Sequence, residues 1–234
     1  MSKLLAASLV FALSATATAS DSGFAQPPPA TRLAINAGAP VMLDTPNLIA
    51  PPRAVDRATV RAALAQARVA SLDSFRWYQR TGVFPSNTYK PGKLNVWLDE
   101  DGHFCAAATI IKLSGQDALV NQVAEQNNFI RLADVKQGPL MSWILTSGLT
   151  QDEIAAIQEP FMDVTDRIEP SQPMLVDANL RKAEDARLRA KYRSVEKMIM
   201  KNTSKSLDRA TDRLMKNPAL AWKLIAAQRA SLEG

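Results

Sequence analysis

The chain has 234 residues, 47% apolar and 22% charged, with a net charge of +5. This is the composition of an ordinary globular protein, so a real core is expected and a wholly disordered chain is excluded. One cysteine and one histidine exclude an internal disulfide and provide only two of the three or four soft ligands a stable zinc site uses.

The first residues, MSKLLAASLVFALSATATAS, place Lys3 before an apolar run from Leu4 to Leu13 and end in small residues, with Ala17-Thr18-Ala19 in small-x-small order. This pattern predicts a secretory signal peptide over 1–19, with Ala17 and Ala25 as other cleavage points. The apolar run is too short to span a bilayer, and no later stretch reaches the roughly 20 apolar residues a span needs. A periplasmic or secreted product is therefore expected. Residues 20–55 carry prolines at 27, 28, 29, 40, 46, 51 and 52, which remove backbone donors and block helix growth. They predict an extended or disordered linker.

A globular domain is expected over 56–165. Val60, Leu64, Ala67, Leu72, Phe75 and Tyr78 share one face of a helix that Gly82 ends. Arg57, Arg61, Arg68, Arg76 and Arg80 are read as its solvated side rather than as an anion site. A loop through Pro85, Asn87, Pro91 and Gly92 leads to a short strand over 94–98 and an Asp-Gly turn. A helix then starts near Cys105 and ends at Ser114-Gly115. Another follows over 116–127, then an extended or strand segment over 129–135. Pro139 opens a short helix closed by Gly148, and Thr150 with Glu153 has capping-box spacing at the next.

Prolines 160, 170 and 173 mark a second boundary, and 174–234 reads as a basic helical extension. Its long first helix carries Leu188, Tyr192, Val195 and Ile199 as one apolar stripe suited to a partner surface. A second helix is expected over 203–215 and a third after Pro218. Residues 178–234 hold 14 Lys and Arg against 6 Asp and Glu, whereas residues 20–177 hold 13 against 17. Such a basic segment can bind an anionic envelope polymer, lipid headgroups or another protein, or can fold back on the body. Nucleic acid is disfavoured, because export removes the usual target and few aromatics are available to stack on bases. The fold class expected overall is mainly α, with α+β as the alternative. It consists of a compact helical domain with at most a small β element, followed by the basic extension.

Cys105 and His103 are the only candidates for catalysis. A nucleophilic cysteine needs a lowered pKa and a base. A helix start at Cys105 supplies the first. Residues at i and i+2 share a face only in extended chain, which would remove Cys105 from the helix end. Burial of Cys105, pairing between chains and reactivity all stay open. Asp99, Glu100 and Asp101 lie close, but the spacing of a helix-loop-helix calcium site is missing, as are a phosphate loop, a dinucleotide fingerprint and a serine elbow. No metal or cofactor is expected.

The stretches FP, VWLDEDGHFCAAATII and SGLTQDEIAAIQEP resemble a group of exported bacterial proteins of unknown function. These share an Asp-Gly-x-x-Cys-Ala helix start and a Ser-Gly-Leu-Thr-x-x-Glu helix closed by Ile-Gln-Pro. The likeness spans about residues 60–160. Here Glu159 stands between Gln158 and Pro160, where that group usually has no residue. The resemblance implies export and a shared domain in which Cys105 belongs to the motif; it implies no activity. The function expected is non-enzymatic binding in the envelope or medium. A cysteine-dependent hydrolase or transferase using Cys105, and a helical oligomerising subunit joined through the 188–199 stripe, are the alternatives.

Overall fold

The computed structural model of the chain describes residues 54–165 and 176–233. The expected signal peptide, and all of the proline-rich lead except its last two residues, lie outside the described residues. Everything described belongs to one compact unit, and it is mainly α.

Helix α1 (Arg57–Thr81) begins where the Asp56 carboxylate accepts the Thr59 amide at 2.8 Å, and ends at Gly82, whose φ of 68° closes the last turn. At 25 residues it extends about 37 Å and serves two cores. Its first half sends Val60, Ala63 and Leu64 into a cluster with α7 (Thr203–Leu214) and α8 (Pro218–Glu233), through Leu207, Ala210, Leu214, Ala221 and Ile225. Its second half sends Leu72, Phe75 and Tyr78 into a larger cluster. That cluster is shared with α2 (Ala106–Leu113), α3 (Asp117–Asn127), α4 (Gly138–Thr146), α5 (Gln151–Ile157) and α6 (Ala178–Lys201).

The C-terminal helices fold back. Leu188, Tyr192, Val195 and Ile199, the stripe suited to a partner surface, are buried inside the larger cluster. The Tyr192 ring sits 5.6 Å from Phe75, 5.7 Å from Tyr78 and 5.6 Å from Phe84. The partner of this stripe is therefore the body of the same chain, and the helices of 174–234 share one unit with 56–165.

The β element is small, as expected, but its strands differ from those expected. Strand β1 (Lys93–Leu94) pairs antiparallel with β2 (Phe161–Met162), Lys93 opposite Met162 and Leu94 opposite Phe161. Of the strand expected over 94–98 only Leu94 lies in this sheet; Leu98 forms an isolated antiparallel bridge with Phe104, and the side chain of Asn128 takes up the Leu98 backbone groups. Asn128 accepts the Leu98 amide through Oδ1 at 2.9 Å and donates to the Leu98 carbonyl at 2.8 Å. The extended segment expected over 129–135 is a 3-10 turn at Leu132–Asp134, for a similar reason. Gln158 accepts the Leu132 amide and donates to the Ile130 carbonyl, while Gln151 donates to the carbonyls of Leu132, Ala133 and Val135. Backbone groups satisfied in this way need no ladder.

Candidate functional site

The turn that holds His103 and Cys105 is built around Asp99. Its buried carboxylate accepts the amides of Ser86 at 2.9 Å, Asp101 at 3.1 Å and His103 at 2.7 Å, and lies 3.2 Å from His103 Nδ1. Asp99, Asp101 and His103 place one ligand atom each within 4.8 Å of one another. Both Asp99 oxygens are nonetheless committed to the turn, so a cation would have to displace these donors.

Cys105 is fully buried and caps α2, its Sγ 3.4 Å from the Ala108 amide. Burial pushes the thiol up to about 12, against a smaller opposite pull from the amides of Ala108 and Ala107. A thiol raised this far is protonated at neutral pH and lacks the thiolate character of an activated cysteine. Tyr78 and Tyr192 are buried in the same core cluster as Cys105. Burial raises both phenols further, so neither exchanges a proton near neutrality. The structure places His103 and Cys105 on one turn but directs the first at Asp99 and the second at its own helix.

Arg68 departs from the solvated face expected for it: it is 2% exposed, between the two cores. Its guanidinium donates to Glu153 at 2.9 and 2.7 Å, to the Gly148 carbonyl at 3.0 Å and to the Ile199 carbonyl at 2.9 Å. Glu153 also accepts the Thr150 amide at 2.8 Å, completing the capping box of α5. One ion pair thus joins α1, α5 and α6. The available signal was positional: Arg68 falls four residues after Leu64 and four before Leu72, on the buried stripe itself. The motif around Ser147-Gly148-Leu149-Thr150 is explained by packing. A side chain at Gly148, where φ is 75°, would lie 2.2 Å from the Leu64 carbonyl oxygen and 2.4 Å from the Arg68 nitrogen.

The other α1 arginines depart from expectation less. Arg57 pairs with Asp212 at 2.7 Å, Arg61 with Asp208 at 2.8 Å and Arg76 with Glu196 at 2.7 Å. Partner numbers fall as α1 numbers rise, so α1 runs antiparallel to α6 and α7. Arg80 is exposed, as a solvated face requires. Glu159, just before Pro160, pairs with Arg187 at 2.6 Å and Lys191 at 3.4 Å. Arg187 also holds Glu184, whose other oxygen accepts the Met162 amide.

These pairs consume acids. Of the described carboxylates on α6 and α7, Glu196, Asp208 and Asp212 face α1, while Glu184 and Asp185 hold Arg187 and Arg181. Lys182, Arg193, Lys197, Lys201, Lys205, Arg209, Lys216, Lys223 and Arg229 remain exposed, with no ion-pair partner among the described residues. Lys205, Arg209 and Arg213 overlook two adjoining clefts of about 210 and 180 Å³ between α7 and the start of α5. Two further depressions, of about 260 and 490 Å³, share Gln116, Trp143 and Thr146. Their hydroxyls are committed, Ser71 to the Ser147 carbonyl, Ser114 to Ile111 and Thr146 to Ser142.

No protein-family model, curated protein or solved structure matches the chain. Among the described residues no helix is long and apolar enough to cross a membrane.

Proposed function

We propose that this is an exported protein, periplasmic or secreted, that acts by binding rather than catalysis and docks on anionic envelope polymer or lipid headgroups. The contact surface is built from the exposed cations of α6, α7 and α8. The observation that carries this reading is the direction of the acids. Each described carboxylate of α6 and α7 is paired with an arginine, three of them across to α1, while Lys182, Arg193, Lys197, Lys201, Lys205 and Arg209 on the same helices are exposed and have no ion-pair partner among the described residues. A surface of one sign attracts an opposite surface over about one Debye length, roughly 30 Å at 0.01 M salt and about 3 Å at 1 M.

Flotation of the chain lacking residues 1–19 with phosphatidylglycerol vesicles, neutral vesicles and an acidic polysaccharide tests this. Binding to the anionic probes at about 0.01 M salt that disappears towards 1 M is expected. Binding to none of them would sink the proposal. The same preparation checks the claim of no thiol chemistry: Cys105 should resist alkylation until denaturant unfolds the chain, and rapid alkylation of folded protein would reopen the cysteine-enzyme reading.

A further inference from the structure

Lys205, Arg209 and Arg213 follow one another at four-residue spacing and form a single stripe on α7. Successive members are separated by about 6 Å along the axis. Long side chains bring the outer two within reach of an anion seated at the middle one. All three are exposed, and neither Lys205 nor Arg209 has a hydrogen-bond or ion-pair partner among the described residues. Arg213 donates through Nη2 to Gln151 Oε1 at 3.0 Å, which steadies its fork beside the cleft.

The stripe faces a shaped surface. The larger cleft has Ile144, Leu149 and Ala210 in its wall and Arg209 and Arg213 at its edge. The smaller runs past Asn202, Lys205 and Ser206. Thr150, Asp152 and Arg209 line both, so Arg209 stands where the two meet. The charge around them is lopsided. Glu153 is spent on Arg68 and the Thr150 amide, which leaves Asp152 as the one acid facing three cations.

We infer that this double cleft is a phosphate-ester site, with the phosphate held at Arg209 and reached by Lys205 and Arg213. The organic part of the ester lies against Ile144, Leu149 and Ala210. Two planar guanidinium forks with an ammonium group at one end of the stripe suit a tetrahedral anion with several oxygens better than a single carboxylate. The chemistry is that of a glycerophosphate unit, carried on a lipid headgroup or free in solution. The inference rests on the proposed basic binding face and narrows it to one site.

The test compares two double variants that remove equal charge, Lys205→Ala/Arg209→Ala at the cleft and Lys182→Ala/Arg193→Ala on α6. None of these four residues has a partner to lose, so folding is expected to survive and a thermal melt verifies it. The probes are phosphatidylglycerol vesicles and soluble glycerol 3-phosphate at about 0.1 M salt. Loss of about tenfold or more in affinity is expected for the cleft variant and less than about twofold for the α6 variant. Arg209→Lys, which keeps charge and loses the fork, should fall between wild type and the cleft variant. Saturable glycerol 3-phosphate binding that competes with vesicles identifies the phosphate as the recognised group. Binding to vesicles alone, with the same ranking of variants, assigns the site to lipid. Equal losses in both double variants would overturn the cleft while leaving the broader basic-face reading intact. Binding of neither probe by wild type, with no acidic polymer bound either, would end both.

Discussion

An arginine on the buried stripe of a helix must find a counter-charge and acceptors inside the protein, and Arg68 obtains both from residues 80 to 131 positions away. Removing one member of such a pair leaves the other charge buried alone, at a cost of about 3–5 kcal/mol. Glu153→Gln should therefore destabilise the fold by about that much, whereas Arg68→Met combined with Glu153→Gln should recover part of the loss. Chemical denaturation of the three proteins checks this. The pH dependence has a definite sign. Burial raises the Glu153 carboxyl, but hydrogen bonds from Arg68 and the Thr150 amide outweigh it and hold the group below its ordinary value. Its contribution is thus complete above the unfolded carboxylate value of about 4.3 and is lost as pH falls through the lower folded value. Wild type should lose this stability on acidification, and Glu153→Gln should show a flatter acid limb. Cys105 illustrates the opposite outcome at the same scale: burial makes the one residue with catalytic promise a capping group.

At the scale of elements, helices and their ends were readable in the sequence because the chemistry that starts or stops a helix lies within about four residues of the end. The caps at Gly82 and Thr150-Glu153 are of this kind. Strand extents were not readable: of 94–98 only Leu94 joins the two-stranded sheet, with Leu98 held by Asn128 and a bridge to Phe104, and 129–135 meets Gln151 and Gln158 instead of another strand. Gly148 combines local and distant constraints. Its φ of 75° disfavours any Cβ, and an added Cβ would also run into the α1 backbone. Gly148→Ala should cost at least about 3 kcal/mol or prevent folding, more than left-handed strain alone would exact. Gly102→Ala is the comparison: φ is also positive, at 84°, but no atom lies within 4 Å of the added Cβ. It should cost only about 1–2 kcal/mol, and similar melting of the two variants would show that the close approach to α1 carries no weight.

For the whole molecule, the question is whether the C-terminal helices are appended or integral. Leu188, Tyr192, Val195 and Ile199 are each 4% exposed or less. Burying four such side chains contributes on the order of 6–12 kcal/mol, comparable with the entire net stability of a domain, about 5–15 kcal/mol. A chain ending at residue 165 should therefore fail to form a cooperative fold, shown by a broad thermal transition and dye binding. A sharp transition would make 56–165 independent. Net charge, its uneven division along the chain and the helix stops followed from the sequence by itself, because they are sums or short-range patterns. Tertiary structure alone decided which arginines face inward, where the α6 stripe is spent, and which cations are left outside. Those outcomes depend on pairing across up to about 155 residues. Helical periodicity specifies a face but not the neighbour that covers it.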